Sequence, residues 1–172
     1  MKRKVLLPIL LLIAAVLAVA IYRTATAPQG DTLLKREEIL NNSIEKSYGW
    51  KIAKEIEVDG YIISAAYSDQ NKSALAVFRP EKNGSWHFQS SVNRSGKEII
   101  IYPAVINGKS YDLFWFNGAP TKYAEIAYSA AGQDIRPQVF DTRNMDIICI
   151  ESPADDYTVS VCYYDENGNV YQ

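Results

Sequence analysis

The chain opens with an uncharged apolar run that is long enough to cross a membrane. The run covers residues 5–21, with three basic residues before it and Arg23 after it. Seventeen helical residues span about 26 Å, close to the ~30 Å of a hydrocarbon core, and Tyr22 can extend the span into the interfacial zone. Because most of the flanking positive charge precedes the run, we expect residues 1–23 to be a signal anchor, embedded through residues 5–22, with its N-terminus in the cytoplasm.

A cleaved signal peptide is the alternative interpretation of the same segment. Ala25-Thr26-Ala27 has the small residues of a cleavage site, but Pro28 would then be the first residue of the mature chain. We therefore expect the segment to be retained. This predicts a single-pass protein of the cell membrane with an extracytoplasmic C-terminal domain, and secretion after cleavage is the alternative.

A linker and an amphipathic helix are predicted between the apolar run and the rest of the chain. Residues 24–30 are small and polar and include a proline, which is typical of a linker. Residues 31–49 have helical periodicity, with Asp31 placed to cap the start and Gly49 the end. The apolar stripe consists of Leu33, Leu34, Leu40, Ile44 and Tyr48. We expect the helix to pack on the following domain, and a stalk or partner-binding helix is the alternative.

From residue 50 to residue 172 the apolar positions alternate with a period of two, which predicts β-strands. Dipeptides that favour type I′ hairpin turns occur at Asp59-Gly60, Asn83-Gly84, Asn107-Gly108, Asn117-Gly118 and Asn167-Gly168. The ten strand-like runs cover 52–58, 61–67, 74–78, 86–92, 99–106, 111–116, 123–128, 135–140, 145–150 and 157–164. With no helical segment between the strands, we expect residues 50–172 to form an all-β extracytoplasmic domain, an antiparallel meander or sandwich.

The end of the chain has the pattern of a closing hairpin. An alternating segment at 156–161 leads through a turn at 165–169 to Val170 and Tyr171. This stretch resembles the final hairpin of an immunoglobulin-like sandwich, with Tyr157 in the place of the tyrosine-corner residue. The resemblance implies an Ig-like character in the C-terminal part of the fold and implies no function.

The charge of the domain excludes some classes of partner. Without the four basic residues that flank the apolar run, the chain has 14 basic and 20 acidic side chains, a net charge of −6. Such a domain lacks the positive surface that binding to nucleic acid or to anionic lipid requires.

The side chains that usually perform catalysis are sparse. His87 is the only histidine, so a multi-histidine metal site cannot form within one chain, and strand alternation places it on a polar face. Asp165, Asn167 and Asn169 alternate as the first ligands of a calcium loop do, but a plain hairpin turn is the expected structure. No catalytic set, metal or cofactor is predicted.

The two cysteines lie 13 residues apart on successive predicted strands. A hairpin centred on residues 155–156 would place Cys149 and Cys162 opposite each other, and an oxidising compartment would permit a disulfide. Because Cys162 shares a polar face with Thr158 and Ser160 while Cys149 shares an apolar one, we expect two free thiols. The disulfide is the alternative.

One predicted strand, residues 111–116, is apolar on both faces. A central strand covered on both sides has this pattern, and an exposed aromatic platform for a peptide or glycan is the alternative. The candidate binding residues come from this strand and from the acidic loop later in the chain: Tyr111, Asp112, Trp115, Asp155 and Asp156.

These patterns predict a non-catalytic, membrane-tethered β domain that binds a protein or glycan partner at the cell envelope. An exported domain with only two cysteines favours a bacterial envelope. One alternative is an envelope enzyme that acts on glycans with paired carboxylates from Asp112, Glu125, Asp155 or Asp156. Another is an accessory subunit of a membrane complex.

Overall fold

The computed structural model describes residues 30–45, 48–82, 84–95, 99–117 and 121–171, together with Ile13 and residues 15–17. Within these ranges no helix is long and apolar enough to cross a membrane. The predicted span at residues 5–22 lies outside the described residues, except for those four helical positions. Residues 24–29 of the predicted linker lie outside them as well.

One helix and eleven strands follow Gly30 in the described part of the chain. They are α1 (Leu33–Ser43), β1 (Lys51–Val58), β2 (Tyr61–Tyr67), β3 (Lys72–Pro80), β4 (Trp86–Ser95), β5 (Ile100–Ile106), β6 (Lys109–Trp115), β7 (Tyr123–Ala130), β8 (Gln133–Asp141), β9 (Ile147–Glu151), β10 (Tyr157–Tyr164) and β11 (Val170–Tyr171). The predicted strands at 61–67 and 157–164 have the observed bounds, and the others differ by a few residues at their ends.

The strands form three antiparallel sheets stacked on one another. The first sheet has the order β1-β2-β3-β4, the middle sheet β5-β6-β9 and the outer sheet β11-β10-β7-β8. Helix α1 packs on the free side of the first sheet. The layer order is therefore helix, first sheet, middle sheet, outer sheet, and the predicted all-β, antiparallel class is confirmed.

Apolar side chains fill all three interfaces between these layers. They include Ile63, Leu75, Leu113 and Trp115 between the first and middle sheets, Leu40, Trp50, Ala76 and Phe78 beneath the helix, and Phe114, Phe116, Ile126 and Ile148 between the middle and outer sheets. Each buried leucine, isoleucine or phenylalanine among them stabilises the fold by roughly 1.5–3 kcal/mol on leaving water. Strand β6 is central in the middle sheet and is buried on both faces, as its apolar pattern predicted.

Two of the predicted hairpin turns have the expected backbone. Asp59 and Gly60 have φ angles of 48° and 79°, and Asn107 and Gly108 have 50° and 79°, the left-handed pair that a type I′ turn needs. A third turn of this kind, at residues 131–132, joins β7 to β8 with φ angles of 52° and 74°. It was not predicted because alanine rarely adopts a positive φ.

The hairpin turn predicted at Asn117-Gly118 is wrong. Strand β6 belongs to the middle sheet and β7 to the outer sheet, so the chain crosses between sheets at this point. The Asn117 side chain is buried and donates a hydrogen bond to the hydroxyl of Ser73. Asn117 therefore lies at the start of a crossover, where its buried amide links the first and middle sheets.

The helix differs from its prediction at both ends. Its cap is Thr32, whose hydroxyl accepts a hydrogen bond from the N–H of Lys35 at 3.3 Å, whereas Asp31 forms an ion pair with Lys35 at 2.9 Å. The helix ends at Ser43 instead of near Tyr48. Past this end, the backbone of residue 50 is bonded to the Asn41 side chain in both directions, which directs the chain into β1.

The apolar stripe predicted for this helix is correct only in its later part. Leu40 is fully buried, but Leu33 and Leu34 are 44% and 73% exposed. Arg36 and Glu37 are buried instead, because the sheet supplies polar partners for them. Glu37, for example, accepts a hydrogen bond from the N–H of residue 52 at 2.9 Å.

A polar cluster, which we call the tether clamp, fixes the start of the described domain to the first sheet. The clamp consists of Gly30, Arg36, Glu55 and Trp86. The N–H of Gly30 donates to the carbonyl of Trp86 at 2.7 Å, and the carbonyl of Gly30 accepts from Arg36 at 2.5 Å. Arg36 also donates hydrogen bonds to both carboxylate oxygens of Glu55, at 2.8 and 2.6 Å, and its guanidinium lies over the Trp86 ring.

Gly30→Ala should loosen the tether clamp. An added Cβ would lie 2.7 Å from Cγ of Arg36 and 3.1 Å from the Trp86 carbonyl, so the helix or the strand must shift. We expect a loss of about 1–3 kcal/mol, as for other overpacked sites. Hydrogen exchange should accelerate in α1 and leave the outer sheet unchanged, and unaltered exchange in α1 would contradict the role of the clamp.

Candidate functional site

A buried carboxylate lies between the middle and outer sheets. Asp112 on β6 is 3% exposed and faces the outer sheet, on the same side of the strand as Phe114. Its Oδ1 accepts a hydrogen bond from the hydroxyl of Tyr157 at 2.8 Å. That hydroxyl also lies 3.1 Å from Oγ of Ser152, so β10 and the loop before it are both linked to β6.

A second phenol lies beside the same carboxylate. The ring of Tyr128 on β7 is 5.6 Å from that of Tyr157. The hydroxyl of Tyr128 and Oδ2 of Asp112 are both buried, and neither makes a hydrogen bond of standard geometry. Burial first, and then the negative charge of Asp112, raise the pKa of Tyr128 above its usual range. The phenol therefore stays protonated and is available to donate to the carboxylate.

This cluster borders a small cleft at one end of the middle sheet. The cleft has a volume of about 230 Å³ and is lined by Tyr111, Ser152, Asp155 and Tyr157 among others. Tyr111 donates to Oδ2 of Asp59 at 3.0 Å, which fixes one wall. Two of the predicted binding residues, Tyr111 and Asp155, thus lie in the same cleft.

The other predicted binding residues lie elsewhere. Trp115 is fully buried between the first and middle sheets, where its indole N–H donates to the carbonyl of Met145 at 3.1 Å. Asp112 is buried, with its carboxylate bonded to the hydroxyl of Tyr157. Asp156 is exposed on the loop between β9 and β10. Trp115 therefore offers no surface to a ligand in this structure.

The carboxylates considered for a glycan-cleaving enzyme come from β6, β7 and the loop before β10. Glu125 pairs with Cys162 on the outer face of the outer sheet, while Asp112 faces inward and is buried. Of the four candidates, Asp155 alone lines the cleft. A glycosidase pair needs two carboxyl groups about 5–10 Å apart on one accessible site, and the lining of this cleft includes one of the four.

The cysteines lie in different sheets, so the hairpin predicted between them is wrong. Cys149 is on β9, which pairs with β6, and Cys162 is on β10, which pairs with β7 and β11. The loop between the two strands crosses from the middle to the outer sheet. Both thiols are free, and burial raises the pKa of Cys149 to about 11.

Near the C-terminus, the contacts of Tyr157 differ from those of a tyrosine corner, and the carboxylate of Asp165 bonds to the backbone of its own turn. Tyr157 bonds to side chains of Asp112 and Ser152, whereas a tyrosine corner bonds to backbone. The carboxylate of Asp165 accepts from the N–H groups of Asn167 and Asn169 at 2.8 and 2.9 Å, which lowers its pKa. Among the described residues no group of three or more metal-ligating side chains is present. His87 is half-buried on β4 and lies opposite Arg79 of β3.

The most open sheet surface is the outward side of the outer sheet, which we call the outer face. Its members alternate with the buried residues of β7 and β10 and include Tyr123, Ala127, Ser129, Thr158, Ser160, Cys162 and Tyr164. The small side chains form the floor of a groove of about 340 Å³, with Ile135 and Pro137 of β8 at its side. At the other end the rings of Tyr123 and Tyr164 stack at 4.6 Å.

Sequence reasoning identified only part of this surface. The sequence predicted that Thr158, Ser160 and Cys162 share a polar face. It did not predict that β7 lies beside them. Comparisons of the chain with protein-family models, with curated proteins and with solved structures each gave no match. The fold and this geometry define the class, a stacked antiparallel β domain whose outer sheet has a face that no other described element covers.

Proposed function

We propose that the chain is a membrane-tethered, non-catalytic module of the cell envelope that binds a partner protein through the outer face. The observation that carries the proposal is the layer order. Residues from both faces of the first and middle sheets and the inward-facing residues of β7 and β10 pack in the three apolar interfaces. Within the described ranges, no helix or other sheet covers the outer face, so it is open to a partner.

The chemistry of the outer face favours a flat protein surface over a small ligand. Alanine, serine and threonine side chains allow the partner backbone to approach closely, and their hydroxyls can accept or donate hydrogen bonds. Glu125 and Asp134 add negative charge, so we expect basic side chains on the partner. A neighbouring subunit of a membrane complex would bind in the same way.

The edges of the outer sheet are poorly suited to adding a strand. Pro137 lies in β8 beside an irregularity in the pairing with β7, and proline together with a bulge protects a sheet edge. The opposite edge, β11, has only two residues. These features favour recognition through the face.

Site-specific photocrosslinking tests the proposal. A photoreactive residue at Ser160, on the outer face, should give a discrete adduct with a second protein in intact cells. The same residue at Asn93, which is exposed on β4, should give none. Thr158→Arg should abolish the Ser160 adduct by placing a large charged side chain on the floor, whereas Asn93→Arg should not. Absence of an adduct from Ser160, or equal adducts from both positions, would overturn the proposal.

The two thiols provide a test of the proposed membrane topology. Cys162 is exposed. Burial raises the pKa of Cys149 from an ordinary 9.0 to about 11, so at neutral pH its thiolate fraction is about a hundredfold lower than that of an ordinary cysteine. In the Thr158→Arg variant, which we expect the partner not to bind, a membrane-impermeant maleimide should therefore modify Cys162 in intact cells and leave Cys149 unmodified until the protein is denatured. Cys162→Ser should abolish the signal.

A cysteine introduced at Lys4 is the matched control for the cytoplasmic side, and it should react only in opened cells. If Cys162 behaves in the same way as this control, the proposed orientation is wrong. If the labelled protein is found in the medium or in the soluble envelope fraction, cleavage of the N-terminal segment replaces the anchor.

A further inference from the structure

Two exposed leucines occupy the first turn of α1. Leu34 is 73% exposed, more than any other large apolar side chain of the described residues, and Leu33 is 44% exposed. Single exposed leucines are common on protein surfaces. An adjacent pair at the point where the chain enters the domain requires another explanation, because the later residues of the same helix, such as Leu40, are buried.

The tether clamp fixes these leucines close to the end of the apolar run. Gly30 is bonded to β4, and the helix begins three residues later. Eight residue steps separate Gly30 from Tyr22, so the two Cα atoms are at most about 29 Å apart even in a fully extended chain. If residues 5–22 span the bilayer, Leu33 and Leu34 are confined to the neighbourhood of its surface.

The surroundings of the two leucines fit a neutral lipid surface. Asp31 and Lys35 flank the pair and neutralise each other in an ion pair at 2.9 Å. The net charge of −6 for the chain beyond the apolar run gives no attraction to anionic headgroups.

We propose that Leu33 and Leu34 insert into the interfacial region of the bilayer that anchors the chain. The tether clamp presents them, and the contact orients the domain so that the first turn of α1 faces the lipid. This inference rests on the membrane anchor of the proposed function, and it adds a second, weaker membrane contact made by the folded domain itself.

Fluorescence quenching of the full chain in phosphatidylcholine vesicles tests this contact. An environment-sensitive label is placed at Leu34→Cys in a Cys162→Ser background, where Cys149 remains unreactive. Matched labels go to Glu38→Cys, exposed one turn further along α1, and to Asn93→Cys, which is seven strand residues beyond Trp86 and so about 23 Å from it. Ala15→Cys reports on the anchor.

At position 34 we expect about twofold quenching by lipids with a quencher high on the acyl chain, and protection from aqueous iodide. Positions 38 and 93 should be accessible to iodide and insensitive to the lipid quencher. Iodide quenching at position 34 equal to that at position 93 would overturn the inference, as would equal lipid quenching at positions 34 and 38, because the label itself would then be inserting. A label at position 15 that lipid quenchers do not reach would instead show that the anchor is absent, a separate failure.

Discussion

Arg36→Met should destabilise the domain by about 3–5 kcal/mol, the largest effect that we expect from a single substitution. The side chains of Arg36 and Glu55 are only 8% and 20% exposed, and their charged atoms meet at 2.6 Å. Removing the guanidinium leaves the carboxylate of Glu55 largely shielded from solvent. Its remaining hydrogen-bond donor is then the hydroxyl of Ser64, at 2.5 Å. The carbonyl of Gly30 loses its partner as well. Urea unfolding of the full chain in detergent measures the change.

Replacing the whole network should cost much less than breaking it. In the triple variant Arg36→Met, Glu55→Leu and Ser64→Ala no buried charge remains without a partner, so at least about half of the loss should be recovered. Arg143→Met is the matched control, since Arg143 pairs with Asp141 at an exposed site and should change stability by less than about 1 kcal/mol. Equal effects of Arg36→Met and Arg143→Met would show that the clamp does not stabilise the domain.

The strands of this domain could be predicted because their signals are local. The turn at Asp59-Gly60 and the apolar run after it define β2, and the polar residues at Thr158 and Ser160 define the faces of β10. Each signal depends on a few neighbouring residues. The same is true of β6, whose apolar character on both sides required a position between two layers.

The assignment of strands to sheets could not be predicted from local signals. Asn117-Gly118 has the composition of a hairpin turn, yet it begins a crossover because β7 finds its partners in β8 and β10. For the same reason the two cysteines were placed on one hairpin. Register and layer order depend on contacts that are distant in sequence, and no short pattern encodes them.

Buried polar pairs escaped prediction for a related reason. Arg36 and Glu55 are 19 residues apart, and periodicity alone assigned the buried face of the helix to Leu33 and Leu34. Asp112 was predicted only as a candidate binding residue or catalytic acid, and its neighbours Tyr128 and Tyr157 come from two other strands. A carboxylate in such a position indicates a buried network, and sequence cannot tell which side chains complete it.

Asp112→Ala should destabilise the domain by about 3 kcal/mol. Hydrogen bonds to a charged acceptor contribute roughly 1.5–3 kcal/mol, and the hydroxyls of Tyr128 and Tyr157 would lose the carboxylate beside them. Tyr157→Phe should cost a similar amount, because it leaves the buried carboxylate without this donor and also removes the contact with Ser152. In a double-mutant cycle the two substitutions should be less than additive by about 1 kcal/mol or more. Urea unfolding of each variant provides the measurement. Asp155→Ala, an exposed acid on the neighbouring loop, should change stability by less than about 0.5 kcal/mol.

Tyr128→Phe distinguishes a connected network from a single bond. The hydroxyl of Tyr128 and Oδ2 of Asp112 are both buried without another partner among the described residues, and burial, followed by the negative charge of Asp112, raises the pKa of the phenol. We therefore expect this hydroxyl to donate to the second carboxylate oxygen and its removal to cost about 1 kcal/mol. If the hydroxyl were buried without a partner, Tyr128→Phe would be neutral or stabilising, because no hydrogen bond would be lost and a desolvated polar group would be removed. That result, combined with additive effects of Asp112→Ala and Tyr157→Phe, would mean that apolar packing alone holds the outer sheet to the middle sheet.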